Sequence, residues 1–133
     1  MKVLLINGSA RANGNTHIAL EEVGKTLKEN GVDYEIVGIG TKPVHGCIVC
    51  GRCRELGHCV FDDDLCNRLA EKLSGSDAIM VGTPTYYGQP NGALLALMQR
   101  QCSTMSSSLM RKCTLFHIIP MLCEARLSMS MPE

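Results

Sequence analysis

The chain has 133 residues, about one domain's length, and its 45% hydrophobic and 20% charged residues are ordinary globular composition. Lys plus Arg and Asp plus Glu each number 13, so the formal net charge is zero; with no Trp and 4% aromatics, this argues against a nucleic-acid or anionic-membrane binder. No apolar run approaches the ~20 residues of a membrane span, and the stretch before Asn7 is too short for a signal peptide, so a cytoplasmic protein is expected.

The first hundred residues alternate strand and helix signals. Lys2 to Ile6 is a Val/Leu/Ile run of the kind buried on both faces of a parallel sheet. A Gly/Ser/Asn loop follows, and Asn15-Thr16 opens a helix whose stripe is Ala19, Leu20, Val23 and Leu27, closed by Asn30-Gly31. Tyr34 to Ile39 reads as the second strand. Asp62-Asp63-Asp64 is an acidic helix start before the stripe Leu65, Cys66, Leu69, Ala70 and Leu73. Ala78 to Val81 is a third strand, Gly82 to Pro90 a loop, and Pro90 suits the first turn of a helix through Leu97. The order β-α-β-α-β-α predicts a doubly wound parallel sheet with right-handed crossovers. From Gln101 onward there is no Gly and no Asp, and Met, Ser and Cys dominate; Cys113 to Ile119 is a candidate fourth strand, stopped by Pro120.

The loop between the first strand and first helix has the makings of an anion site. Its small residues let backbone N–H groups turn toward a ligand, and the helix N-terminus adds partial positive charge. Ser9, Asn13, Asn15 and Thr16 add polar groups around Gly14, and Arg11 adds a full charge. It is neither a P-loop nor a dinucleotide fingerprint: Asn15 stands where a Lys is required, and no G-x-G-x-x-G is present. In a sheet of order 2-1-3, ligands bind beyond the C-terminal ends of strands one and three. The second of these ends carries Pro84, Thr85, Tyr86, Tyr87 and Gly88, which suit a flat ring.

Eight cysteines are the anomaly of composition. Four of them, Cys47, Cys50, Cys53 and Cys59, form a compact C-x2-C-x2-C-x5-C run. Thiolates are soft ligands, and consecutive two-residue gaps favour wrapping one loop around an iron–sulfur cluster over the paired knuckles of structural zinc sites. Gly46, Gly51 and Gly57 allow the turns, and His45, Arg52, Arg54 and His58 are the nearby cations that offset thiolate charge. Zinc, a disulfide pair and free thiols stay open as alternatives.

Gly8-Ser9-x-Arg11-x-x-Gly14-Asn15-Thr16 resembles the FMN-phosphate loop of the flavodoxin-like NAD(P)H-dependent FMN reductases, with Ala10 where that family usually has Pro. Gly82-Thr83-Pro84-Thr85-Tyr86-Tyr87-Gly88 resembles the loop that borders the isoalloxazine ring in the same family. The cysteine run, followed by Val60-x-Asp62-Asp63-Asp64, is similar to that of the iron–sulfur flavoprotein branch. The resemblance spans about residues 1–100. It implies a flavodoxin-like domain binding FMN, with Cys47, Cys50, Cys53 and Cys59 holding a [4Fe–4S] cluster and no side chain acting as nucleophile or base. Reduced ferredoxin or NAD(P)H is the implied donor. The alternatives are a plain NAD(P)H-dependent FMN or quinone reductase without a cluster and a truncated, non-catalytic product.

The expected organisation is therefore a flavin-binding unit over 1–100, a cysteine loop over 45–61 inserted after the second strand, and an atypical tail over 101–133. Family members continue with two more strands, so the sheet looks C-terminally incomplete. That leaves apolar surface expected along its edge and around Leu94, Leu95 and Leu97, covered by a homodimer or larger assembly.

Overall fold

A computed structural model describes residues 1–104 and 118–121. Among these described residues five strands and four helices follow in order: β1 (Lys2–Asn7), α1 (Asn15–Glu29), β2 (Asp33–Gly38), α2 (Cys53–Leu56), α3 (Cys66–Ser74), β3 (Ala78–Tyr86), β4 (Gln89–Pro90), α4 (Gly92–Thr104) and β5 (Ile118–Met121).

β1 lies between β2 and β3 and pairs parallel with both, in registers that run Val3–Tyr34 and Val3–Ala78. β5 pairs parallel with the far side of β3, Val81 facing Ile118. The parallel order 2-1-3-5 reverses direction at β1, which is the switch point of a doubly wound sheet.

Side-chain alternation along the strands divides the core in two. Leu4, Ile6, Val37, Ile79 and Val81 face α3 and α4, where they meet Cys66, Leu69, Leu73, Leu94 and Leu97. Val3 and Leu5 face α1 and pack with Leu20, backed by Val23, Leu27, Tyr34 and Ile36. With helices on both faces, β1 has almost no solvated side, which is why its sequence is continuously apolar rather than alternating. Leu4, Leu5 and Ile6 are wholly buried, worth about 1.5–3 kcal/mol each in transfer free energy. α1 seats closely because it carries Gly24 over the sheet: a Cβ there would lie 2.4 Å from the Tyr34 ring.

Four expectations from the sequence need correction. β3 does not stop at Val81 but continues to Tyr86, so Pro84, Thr85 and Tyr86 stand on a strand. Pro90 belongs to β4, and the helix starts two residues later at Gly92. Tyr87 and Gly88 form the two-residue turn between β3 and β4, both with positive φ (49° and 76°), the backbone of a type I′ hairpin. The strand expected over Cys113–Ile119 is seen at Ile118–Met121 and runs through Pro120; residues 105–117 and 122–133 lie outside the described part. Finally, Leu94 and Leu97 are core residues at 3% and 0% exposure, and of the three leucines expected on the surface Leu95 alone is exposed. α4 turns its Leu94–Leu97 side into the cluster that holds Ile79 and Val81 of β3.

Candidate functional site

The two special segments meet at the switch point. The N–H of Gly8 donates to the carbonyl of Gly82 at 2.7 Å, continuing the β1–β3 ladder into the loops. A Cβ on Gly8 would lie 2.7 Å from Leu94 Cδ2 and 2.9 Å from the Gly82 carbonyl oxygen, so glycine alone permits this approach. Asn91, just before α4, fastens both sides. Its Nδ2 donates to the Gly8 carbonyl (2.9 Å), its N–H donates to Thr83 Oγ1 (3.2 Å), and its Oδ1 accepts the N–H of Ala93 (3.0 Å).

The loop after β1 is shaped by its own side chains. The carboxamide oxygen of buried Asn7 accepts the N–H of Ser9 at 3.0 Å, and Ser9 Oγ accepts the N–H of Arg11 at 3.1 Å. Arg11 and Asn13 are exposed, and Gly14 caps α1 with extended backbone (φ −81°, ψ 176°). Asn15 is exposed, whereas Thr16 is buried with its methyl 3.0 Å from where a Cβ on Gly82 would lie. The first N–H groups of a helix have no partner within it, so this loop delivers donors and a positive dipole end to one place. Across from it, Pro84 and Thr85 are half-buried, while Tyr86 is 51% exposed and Tyr87 fully exposed. The residues named from the sequence for a phosphate and for a flat ring thus flank one sheet end. A phosphate-bearing planar ligand fits this cradle on two counts: a helix N-terminus beside Arg11 for the phosphate, and the exposed Tyr86 and Tyr87 for the ring.

Asn7, Thr83 and Asn91 escaped the sequence reading. Asn91 follows Pro90 within a Gly-Gln-Pro-Asn-Gly run, and such a residue between turn formers reads as punctuation; only the fold shows that it reaches back 83 positions to Gly8.

The cysteine loop lies on the α3/α4 side of the sheet. Cys47, Cys53 and Cys59 are half-buried and Cys50 is exposed. Gly51 and Gly57 take positive φ (72° and 74°), and Val49 does so as a β-branched residue at 55°, so the loop turns sharply three times between Cys47 and Cys59. α2, a single helical turn, starts at Cys53 and ends on Gly57. Among the described residues no three of His, Cys, Asp and Glu are gathered closely enough to grip a metal ion. The donor set itself fits a thiolate-held metal centre: four soft ligands on one tightly turned loop, with a cation against one sulfur.

That cation is not one of those named from the sequence. It is Arg100, 1% exposed on α4, whose Nε–H donates to Cys59 Sγ at 3.2 Å. One guanidinium nitrogen, Nη1, donates to Asp64 Oδ2 and to the carbonyl of His45; Nη2 donates to the carbonyl of Phe61 at 3.0 Å. The guanidinium carbon sits 5.4 Å from the Phe61 ring centroid, and that ring stacks on His45 (centroids 4.6 Å apart). His45 pairs with Asp63 at 3.1 Å, and Arg52, Arg54 and His58 are exposed.

Asp64 and Asn67 complete the anchorage. Burial opposes ionisation of Asp64, but the N–H of Cys66, the Arg100 guanidinium and the N–H of His45 outweigh it and hold the carboxyl below its ordinary value. Asn67 reads the backbone of Cys59 from both sides, its Oδ1 accepting the Cys59 N–H (2.9 Å) and its Nδ2 donating to the Cys59 carbonyl (3.0 Å). Cys59 also faces an open groove of about 530 Å³ beside α3, with His58 and Glu71 on its walls. Cys66 is a different case: burial pushes its thiol up to about 11, so it is an uncharged core residue.

The fold and these paired loops define a flavodoxin-like protein, and comparison with known proteins narrows the class. The profile of the NADPH-dependent FMN reductase family matches residues 1–117. The chain belongs to that family. An iron–sulfur flavoprotein of Methanocaldococcus jannaschii is 35% identical over 100 residues, covering 75% of this chain and 51% of its own. One from Methanosarcina thermophila is also 35% identical over 100 residues, covering 75% and 52%. The chain is similar to the iron–sulfur flavoprotein branch of the family, and it spans about half the length of these relatives. Among solved structures, a flavone reductase superposes with a TM-score of 0.54 at 22% identity, over 75% of this chain and 29% of its own, a likeness of fold.

Proposed function

We propose that this chain is the flavin- and metal-binding part of an oxidoreductase that passes electrons from a reduced donor, ferredoxin or NAD(P)H, to an acceptor. FMN occupies the end of β1 and β3, its phosphate on Ser9, Arg11, Asn13, Gly14, Asn15 and Thr16 and its ring beside Pro84, Thr85, Tyr86, Tyr87 and Gly88. The observation that carries this reading is the pair of loops brought to the switch point and tied through Gly8, Gly82 and Asn91. FMN supplies the two-electron redox chemistry when bound. The chain's residues hold the phosphate by charge and backbone donors, seat the ring against the hairpin, and limit water on the β1–β3 side.

Cys47, Cys50, Cys53 and Cys59 hold a [4Fe–4S] cluster in this reading, which supplies one-electron transfer. The support is the soft donor set, the cation at Cys59 and the similarity to proteins named iron–sulfur flavoproteins. We also propose a cytoplasmic homodimer or larger assembly, with residues 1–100 carrying the flavin loops, 45–61 the cysteine loop, and 101–133 an atypical end that supplies β5 to the sheet. Without the cysteines, the family match alone favours a plain NAD(P)H-dependent FMN or quinone reductase.

Two assays test the reading. Arg11→Ala should weaken FMN by roughly 10- to 100-fold, a charge-assisted contact's worth, and leave riboflavin nearly unchanged because only FMN carries the phosphate. Equal loss of both ligands places the phosphate elsewhere. Anaerobic purification should give about four irons per chain, as the cluster type requires; stoichiometric zinc without iron overturns the cluster and leaves the plain reductase.

A further inference from the structure

Arg100 is the largest wholly buried side chain of the described residues, and its place on α4 is 41 positions from the sulfur it touches. A buried guanidinium has a high desolvation cost unless it is fully engaged, so its partners reveal what it is kept for. These partners converge on one segment: the carbonyls of His45 and Phe61 at the two ends of the cysteine loop, the sulfur of Cys59, and Asp64, whose carboxylate itself holds the N–H of His45. One planar group thereby joins both ends of a loop that has several exposed residues between them.

We propose that Arg100 is a positioning residue of the cysteine centre, closing the loop at its ends and setting a permanent positive charge against the Cys59 sulfur. This rests on the reading of the four cysteines as ligands of an iron–sulfur cluster. Two consequences follow from general electrostatics. An N–H donated to a ligand sulfur stabilises the more negative, reduced form of a thiolate-held cluster, so the bond raises its midpoint potential. The clasp also lowers the ordering cost of wrapping the loop around the metal, because its ends are fixed beforehand.

The test uses the full chain, prepared without metal and then reconstituted anaerobically with ferrous iron and sulfide, as wild type, Arg100→Lys and Arg100→Met. Arg100→Lys keeps a cation beside Asp64, so it should fold, but an ammonium has three donors on one atom and cannot span the four acceptors, Cys59 Sγ, Asp64 and the His45 and Phe61 carbonyls, that the planar guanidinium reaches. It should take up iron to the wild-type level with a lower midpoint potential and a shifted visible spectrum. Arg100→Met should lose most of the iron. In the metal-free protein, amide exchange across residues 45–61 should be at least tenfold faster in Arg100→Lys than in wild type, with exchange in β1 and β3 unchanged. An Arg100→Lys protein with wild-type potential and wild-type exchange overturns the proposal. Wild type that takes up no iron overturns the cluster reading instead; the exchange arm then still decides the clasp, faster loop exchange supporting it and unchanged exchange overturning it.

Discussion

The two candidate sites are built at opposite ends of a scale of preorganisation. The flavin loops are extensions of the sheet: backbone bonds carry the β1–β3 ladder into them, and Gly8, Gly82 and Asn91 fix them without any charged group. The cysteine loop adds no strand to the sheet and meets the core through Val44 and Cys59. It is held at its ends by long-range side chains, Arg100, Asp64 and Asn67, while Ile48, Val49 and Leu56 in its interior are exposed. The first arrangement gives a cradle that exists before its ligand. The second gives a loop whose ends are set by side chains and whose middle carries exposed apolar residues. An apolar, half-exposed interior of this kind is stable only if something else orders it.

The comparison breaks most visibly at the buried ion pair. Removing one partner of such a pair leaves an uncompensated charge and costs roughly 3–5 kcal/mol, so Asp64→Ala should show the largest loss of stability in urea unfolding. Its pH dependence has a definite sign. Because the folded carboxyl lies below its ordinary value, the pair's contribution is present above about pH 4, the unfolded value, and is lost as pH falls through the folded value. The stability gap between wild type and Asp64→Asn should therefore shrink on acidification; a gap constant down to pH 2 shows that ionised Asp64 is not what holds the loop. FMN affinity in Asp64→Asn should stay near wild type, since the flavin cradle uses no part of this network.

Gly8→Ala is the corresponding break on the other side. Its Cβ meets Leu94 Cδ2 and a backbone carbonyl that cannot swing away, an overpacking of about 1–3 kcal/mol. FMN binding should fall with it, measured by flavin fluorescence quenching, while metal uptake stays intact. Asn91→Ala is milder: about 1 kcal/mol of stability for its hydrogen bonds, with a greater effect on FMN affinity than on unfolding because it joins the two flavin loops. If Asn91→Ala weakens metal uptake as much as FMN, the two sites are not independently built.

The same contrast explains what was legible in the sequence. Strands, helices and the three-layer fold were, because burial on both faces writes a continuous Val/Leu/Ile run and helices write a 3.6-residue stripe. The two segments that meet at the end of β1 and β3 were as well, since turn glycines and a helix start sit next to each other in sequence. The course of β3 was not: Gly82, Pro84 and Gly88 signal a loop, but β1, β4 and β5 give the chain enough pairing partners to stay extended. Least legible was what anchors the cysteine loop. Arg52 and Arg54 are neighbours of the cysteines in sequence and stand exposed, whereas Arg100, on another helix and separated from Cys59 by α3, β3 and β4, is brought to the sulfur by the packing of α4 beside α2 and α3. Local spacing finds ligands, and long-range contacts supply what positions them.

The smallest effect separates fold from function inside the flavin site. Tyr87 occupies the first position of the I′ turn with φ 49°, a left-handed conformation unfavourable for an aromatic residue, and its side chain is fully exposed, so it gains no packing in return. Asn followed by Gly is the preferred pair for such a turn. Tyr87→Asn should therefore stabilise the chain, by about 0.5–1 kcal/mol in urea unfolding, an unusual gain for replacing an aromatic residue. If the tyrosine is retained to cover a flavin ring, the same variant should bind FMN and riboflavin more weakly by a similar factor, because the ring is common to both while the phosphate is not. That pattern is the opposite of the one expected for Arg11→Ala. A Tyr87→Asn protein that is more stable and binds both flavins as tightly as wild type would falsify the role of the hairpin as the ring-side wall, and would leave the strained turn without a function.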